Sequence, residues 1–186
     1  MTALTGEQKK KLKALARNVI ASELGIEKLI DVENEFVDPF YHKERGVFVT
    51  LNLDGRLRGC IGNTDPIYPL YEGVMKNAHD AAFGDPRFSP LEVDEFDDLN
   101  IEISVLTVPQ KVKYSSAKDL LDKLRPGKDG VVIEKERNKA TYLPQVWDDI
   151  KDKEDFLSSL CMKAGLNPDE WMQGDCDVYK YEVEKF

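Results

Sequence analysis

The chain has 186 residues, and its 35 acidic and 26 basic side chains give a formal net charge of −9. Binding to duplex phosphates requires a basic face, so this charge argues against nucleic acid as the main partner. Apolar residues make up 41% and charged residues 33%, and no apolar run could span a bilayer, which predicts a soluble, cytoplasmic protein without membrane association.

The first predicted helix starts at a capping box. Thr5 and Gln8 have capping-box spacing, and the apolar residues that follow fall on one helical face until Gly25 can end the helix. Residues 26–45 are charged and irregular, which favours a loop.

A β-hairpin is predicted next. Residues 47–53 alternate between apolar and polar side chains, and Asp54-Gly55 is typical of a two-residue hairpin turn. The return strand carries Arg56, Arg58 and Cys60, which regular alternation would place on one side of the strand.

The rest of the chain alternates between helices and strands without regular βαβ order. The predicted helices cover 69–83, a segment capped by Ser116, the stripe from Phe156 to Ala164, and a short helix that starts near Pro168. The predicted strands cover 100–106, 130–134, 140–143 and the YKYEVE segment. We therefore expect an α+β fold with antiparallel sheets, as one domain over residues 1–186 whose division into two lobes would fall near 110–130.

The three cysteines, Cys60, Cys161 and Cys176, form no CxxC or CxxH pair, so neither a zinc site nor a disulfide framework is predicted. Two histidines are too few for an all-histidine metal site, which leaves a mixed histidine–carboxylate site as the alternative. We expect no metal and no cofactor. Cys161 lies on the apolar stripe of a helix and Cys176 lies between two aspartates, so both are predicted to be structural.

Cys60 lies in the stretch GRLRGCIGN, which suits either a reactive thiol or a buried structural cysteine. A guanidinium at Arg58, about 6.5 Å along the strand, favours the thiolate over the thiol. Gly59 and Gly62 lack a Cβ, so the nearby backbone amides can approach a substrate oxyanion. We expect Arg58 to affect the thiol more than Arg56 does. A buried cysteine at a strand end, with the arginines solvated at the edge, fits the same pattern. So does a structural Arg58 that ties the strand to an acid such as Glu102.

Two histidines are candidate bases for such a thiol. His79 lies beside Asp80 in a predicted helix, and His42 lies in a loop. A helical histidine beside an aspartate is more often a solvated surface pair, and the spacing does not show that either residue meets Cys60.

GDPRFSP, residues 84–90, is a second candidate segment. In the functional interpretation Arg87 binds an anion, because its planar fork suits carboxylate or phosphate. In the structural interpretation Asp85 accepts bonds from backbone amides and Arg87 pairs with a carboxylate. We predict that Arg58, Cys60, Asp85 and Arg87 lie around one concavity.

Two further polar positions complete the candidate set. Glu102 shares a strand face with Ser104, and it is a candidate acid, base or arginine partner, or part of a solvated face. Gln145 follows Pro144 and is a candidate polar contact in a pocket, while Trp147 is predicted to be in the core.

The segment LRGCIG, residues 57–62, resembles the AMMECR family, the first component of AmmeMemoRadiSam systems. Four other segments, AAFGDPRFSP, LNIEISVLTVP, LPQVW and FLSSLCMKAGL, extend the resemblance over most of the chain. It implies a two-lobed α+β fold with antiparallel sheets. The family motif maps onto eight residues of this chain and does not include His79: Arg58, Gly59, Cys60, Gly62, Asp85, Arg87, Phe88 and Gln145.

The resemblance also implies partners, since neighbouring genes often encode a Memo-like protein and a radical SAM enzyme of a shared modification pathway. Two functions remain open. One is an enzyme in which Cys60 is nucleophile or covalent carrier, with Arg58 and Glu102 as catalytic partners. The substrate-binding residues would then be Gly59, Gly62, Asp85, Arg87 and Gln145. The other is a non-catalytic module that presents the RGCIG loop to a small molecule or a protein.

Overall fold

Two antiparallel four-stranded sheets organise residues 3–186, the part of the chain that the computed structural model describes. The helices are α1 (Gly6–Glu23), α2 (Val32–Glu35), α3 (Leu70–Phe83), α4 (Ala117–Lys123) and α5 (Lys153–Lys163). The strands are β1 (Val47–Leu53), β2 (Arg56–Asn63), β3 (Leu99–Leu106), β4 (Gln110–Lys111), β5 (Gly130–Lys135), β6 (Asn138–Tyr142), β7 (Asp177–Tyr181) and β8 (Val183–Lys185). Short 3₁₀ helices cover Val93–Glu95, Pro144–Asp148 and Glu170–Met172. The predicted α+β class with antiparallel sheets is therefore confirmed.

The chain divides into two compact units. The first comprises the residues up to Leu106 together with Glu184–Phe186, and the second comprises Thr107–Val183. The polypeptide leaves the first unit before the 110–130 segment in which proline and glycine cluster. Within residues 3–186, no helix is long and apolar enough to cross a membrane.

The first unit packs helices on one face of the sheet β2-β1-β3-β8. Thr5 caps α1 as predicted, since its hydroxyl accepts from the Gln8 amide at 3.1 Å and the Gln8 side chain accepts from the Thr5 amide. The core side of β1 carries Val47, Val49 and Leu51, all fully buried. Burying each such side chain contributes about 1.5–3 kcal/mol. The intervening residues of β1 point to the opposite, more accessible face.

The predicted hairpin is present, but its ladder contains a β-bulge. Asp54 and Gly55 have φ of 51° and 73°, which is the left-handed backbone of a two-residue turn. Leu51 pairs with Gly59 whereas Asn52 pairs with Leu57, so Arg58 is the extra residue. The bulge reverses the alternation, and Leu57 rather than Arg56 lies on the face of Cys60. The prediction that Arg56, Arg58 and Cys60 share one side is therefore wrong.

The second unit is built on the sheet β4-β7-β5-β6. Trp147 is buried as predicted, stacks on Phe156 with ring centroids 3.6 Å apart, and donates its indole N–H to the Asp129 carbonyl at 2.8 Å. Ser116 caps α4 by accepting from the Asp119 amide.

Two predicted segments differ in detail from the structure. The loop predicted over 26–45 contains the one-turn helix α2, because Asp31 accepts from the Asn34 amide and caps it. The single strand predicted for YKYEVE is two strands in different sheets, β7 and β8. The chain turns between them at Glu182, whose amide donates to Thr107 Oγ1 at 2.9 Å.

Candidate functional site

The loop after α3 supplies hydrogen-bond partners to the outward backbone groups of β2 at Cys60. β2 is an edge strand, so its outward N–H and C=O groups need partners. Asp85 accepts from the Cys60 amide at 2.9 Å, and Arg87 Nη2 donates to the Cys60 carbonyl at 3.1 Å. The loop therefore binds both outward backbone groups of Cys60, the N–H and the C=O.

Asp85 and Arg87 form a partly buried ion pair. The Asp85 side chain is 2% exposed, and its carboxylate accepts from Arg87 Nε at 2.9 Å and from Nη2 at 2.6 Å. The Arg87 guanidinium, aided by the backbone amides of Cys60 and Arg87, holds the pKa of Asp85 well below its usual range, although burial opposes this. Asp85 is in turn the main cause of a raised pKa for Arg87, and the Cys60 side chain adds to it. Arg87 is thus the cation that binds the backbone of Cys60, through the carbonyl oxygen.

Arg58 has a partner other than the thiol. Its Nε and Nη2 bind the Glu95 carboxylate at 2.7 and 2.9 Å, and it also donates to the carbonyls of Ser89 and Pro90. The Glu95 hydrogen bond raises the pKa of Arg58 above its usual value. Arg58 therefore ties β2 to an acid, and this acid is Glu95 rather than Glu102.

Phe88 connects the two arginines. The guanidinium carbons of Arg58 and Arg87 lie 6.0 and 5.5 Å from the centre of its ring, within the range of cation–π contacts. Arg58, Cys60, Asp85 and Arg87 are thus brought together through residues 84–90, with Arg58 holding the loop and Arg87 beside the cysteine.

Thr50 lies next to the thiol, and the sequence interpretation missed it. It pairs with Cys60 across the β1–β2 ladder, and its Oγ1 is 3.3 Å from Sγ. Both outward backbone groups of Cys60 bind the loop, so this is a non-hydrogen-bonded pair, in which side chains approach most closely. A regular ladder from the Asp54-Gly55 turn would pair Thr50 with Gly59. Only the bulge moves Cys60 into that position.

Glu102 extends this row to the third strand. It pairs with Thr50 from β3, and Lys185 Nζ on β8 binds its Oε1 at 2.8 Å. Cys60, Thr50, Glu102 and Lys185 therefore form a row across four strands, which we call the polar row. Its first three members are half-buried, so their side chains are accessible from one face of the sheet.

The two motif glycines provide space for packing. A Cβ on Gly59 would lie 2.0 Å from the Ala81 carbonyl oxygen of α3, and a Cβ on Gly62 would lie 2.3 Å from the Phe48 ring. The Cys60 amide between them is bound to Asp85. These contacts explain the glycines without the oxyanion role that the sequence suggested.

The remaining candidates have contacts of their own. His79 is exposed and pairs with Asp80 at 3.2 Å, as expected of a surface pair, and His42 Nε2 bonds the Phe36 carbonyl at 2.8 Å. Gln145 is exposed in the 3₁₀ helix Pro144–Asp148 of the second unit. Among residues 3–186, no group of three or more His, Cys, Asp and Glu side chains is arranged to hold a metal ion.

The other two cysteines are in the core of the second unit. Cys161 is 0% and Cys176 3% exposed, and burial raises the pKa of both thiols, that of Cys176 to about 11. These environments fit the structural role predicted for them.

Comparison with known proteins identifies the family of this chain. The AMMECR1 family model matches residues 13–186. A protein of Methanothermobacter thermautotrophicus is 38% identical over 98% of this chain and 95% of its own, and Protein MK0488 of Methanopyrus kandleri is 40% identical over 98% and 89%. The crystal structure of uncharacterized protein PH0010 from Pyrococcus horikoshii, 40% identical, superposes with a TM-score of 0.78 over 94% of this chain and 88% of that chain. The chain described here belongs to the AMMECR1 family.

Proposed function

We propose that Cys60 is the reactive group of this protein and acts as nucleophile or covalent carrier on an anionic substrate. The observation that carries the proposal is the setting of the thiol. It is half-buried, its backbone N–H and C=O are both bound by the Asp85–Arg87 pair, and a hydroxyl lies 3.3 Å from its sulfur. A fixed thiol beside a guanidinium is the environment in which cysteines become reactive.

Arg87 supplies the anion-binding group. Its Nε and Nη2 bind Asp85 and the Cys60 carbonyl, its side chain is 54% exposed, and its Nη1 has no bonding partner among residues 3–186. In this proposal, Nη1 binds a carboxylate or phosphate of the substrate.

In the covalent step the thiol first loses its proton to solvent. The sulfur electron pair then forms a bond to an electrophilic carbon of the substrate, and the leaving group departs with the electrons of the bond that breaks. A second nucleophile then forms a bond to the same carbon, and the carbon–sulfur bond breaks to release the thiolate. Arg87 holds the anionic end of the substrate throughout.

The alternative is a non-catalytic module that presents the RGCIG segment, which lies in strand β2, to a small molecule or a protein. The contacts of Arg58, Gly59 and Gly62 favour it, because Arg58 binds the Glu95 carboxylate and both glycines pack closely against neighbouring elements, which holds this part of β2 rigidly. A preformed surface of this kind binds a partner without a large entropic cost.

The proposal extends to the cellular setting. The resemblance implies Memo-like and radical SAM proteins as pathway partners, which would make this protein the carrier or modifying component of a shared pathway. A cytoplasmic setting belongs to the same proposal, since thiols stay reduced there.

Alkylation of Cys60 by iodoacetamide at pH 7 tests the proposal. We expect the wild-type thiol to react faster than a cysteine peptide, and Arg87→Gln to slow the reaction several-fold. Arg56→Gln is the matched control, because Arg56 is exposed and does not lie on the face of Cys60, and it should not slow alkylation. A wild-type rate no higher than that of the peptide contradicts the proposal.

Incubation with cell extract then separates the two functions. A covalent adduct found by mass spectrometry on Cys60, and absent from Cys60→Ser, supports the enzyme. A protein or metabolite retained equally by both forms supports the module.

A further inference from the structure

We propose that Thr50 is a positioning residue for the Cys60 thiol, and that its hydroxyl stabilises the thiolate. This inference rests on the proposed function of Cys60. The two residues are direct partners in the β1–β2 ladder, with Oγ1 3.3 Å from Sγ. A regular hairpin would not bring them together, because the bulge at Arg58 sets this register.

The hydroxyl suits both protonation states of the sulfur. With a thiol, Sγ–H donates to Oγ1, whereas with a thiolate Oγ1–H rotates and donates to Sγ. No heavy atom moves between the two states. Threonine is stiff at χ1, so the strand keeps the oxygen in place. A hydrogen bond to a charged acceptor is also stronger than one between neutral groups, which favours the thiolate.

The charged groups around the sulfur are otherwise paired. In the loop, Arg87 binds Asp85 and reaches Cys60, and at the bulge Arg58 binds Glu95. On the far side of Thr50, the Glu102 carboxylate is neutralised by Lys185 at 2.8 Å. The Thr50 hydroxyl is thus the side-chain group in direct contact with the sulfur, and the charged side chains around this pair bind one another.

The test is the pH profile of Cys60 alkylation by iodoacetamide in the full chain. Thr50→Val removes the hydroxyl at nearly constant volume, and Thr50→Ser keeps it. We expect Thr50→Val to slow alkylation at pH 7 about tenfold, or about 1.4 kcal/mol, and to shift the profile to higher pH. Thr50→Ser should stay within about twofold of wild type, a difference of less than about 0.5 kcal/mol.

A matched control is Thr141→Val in the second unit, whose hydroxyl binds the Val131 carbonyl and the Tyr181 hydroxyl and lies beside no thiol. It should leave the profile unchanged. Thermal melting checks folding, and Thr50→Ala replaces Thr50→Val if the valine variant does not fold.

Two results overturn the inference. One is an unchanged profile in a folded variant without the hydroxyl, and the other is an equal loss in Thr50→Ser, which would assign the effect to packing of the methyl group. Neither concerns the proposed function, which fails only if the wild-type thiol is no more reactive than a peptide cysteine.

Discussion

Each unit of the protein buries an aspartate beneath a half-exposed arginine. In the first unit the Asp85 side chain is 2% exposed under an Arg87 that is 54% exposed, and in the second Asp129 is 0% exposed under an Arg125 that is 48% exposed. In both pairs the arginine offers its backbone amide and its guanidinium to the same carboxylate.

The pairs differ in what else they contact. Arg125 Nη2 also binds Glu182 at 2.6 Å, and Lys180 lies 3.6 Å from Asp129. The further partners of this pair are therefore charged side chains. Asp85 and Arg87 instead bind the two backbone groups of Cys60. The same ion pair therefore fixes a fold in one unit and positions a thiol in the other, and its role is decided by its remaining contacts.

The largest expected difference between the units is in thiol chemistry. At pH 8, iodoacetamide should label Cys60 while Cys161 and Cys176 stay unmodified in the folded protein. The rise in the pKa of Cys176 from 9.0 to about 11 alone lowers its thiolate fraction about a hundredfold, and burial excludes the reagent as well. Peptide mass spectrometry measures the three sites, and in denaturant all three should react. Comparable labelling of Cys176 in the native state would contradict the contrast.

The two ion pairs should differ next in stability. Arg87→Gln leaves a buried carboxylate with only backbone donors, which we expect to cost about 3 kcal/mol of unfolding free energy. Arg125→Gln should cost less, because Lys180 still faces Asp129. Urea denaturation measures both losses. Tryptophan fluorescence reports the second unit, where Trp147 and Trp171 lie, and circular dichroism reports the whole chain. An equal or larger loss in Arg125→Gln would show that Lys180 does not compensate.

The smallest expected effect is on the stability of the fold at acidic pH. Arg87 lowers the pKa of Asp85, and although burial raises the pKa of Asp129, its hydrogen bonds with Arg125 lower it overall from 3.8. Each native carboxylate binds fewer protons than its unfolded counterpart, so its stabilisation is present above about pH 4 and is lost as the pH falls.

Asp85→Asn and Asp129→Asn should each reduce the drop in melting temperature between pH 6 and pH 3 by several degrees, since about 1 kcal/mol corresponds to roughly 4–8 °C in a small domain. Differential scanning calorimetry measures it. Exposed Asp54→Asn is the control and should leave the drop unchanged. A drop as large as that of wild type in both buried-site variants would contradict the assignment.

Local signals in the sequence predicted much of this fold. The capping box at Thr5, the Asp54-Gly55 turn and the alternation in residues 100–106 each depend on residues a few positions apart, and the corresponding elements are present. The predictions that failed concern contacts between residues that are distant in the sequence. The split of YKYEVE depends on two different sheets, which no local pattern encodes.

The candidate site follows the same division. Its segments could be found from residue types, because glycines, arginines and a cysteine in one short stretch are unusual. The partners could not, since the bulge at Arg58 changes which side chains face Cys60, and Glu95 and Thr50 reach the motif only through tertiary structure. The single bulge residue Arg58 therefore explains why the observed neighbour of the thiol is Thr50, which the sequence did not predict.

The position of β8 along the chain has a consequence for biosynthesis. The first sheet has three of its strands by Leu106, but the strand that covers the free edge of β3 comes only at Val183–Lys185. Synthesis proceeds at about 5–20 residues per second, so a ribosome translating the second unit holds a first sheet with an open edge for several seconds. Such an edge is a template for pairing with neighbouring nascent chains. A slow codon placed between residues 107 and 183 should therefore lower the yield of native protein more than the same codon placed before residue 99.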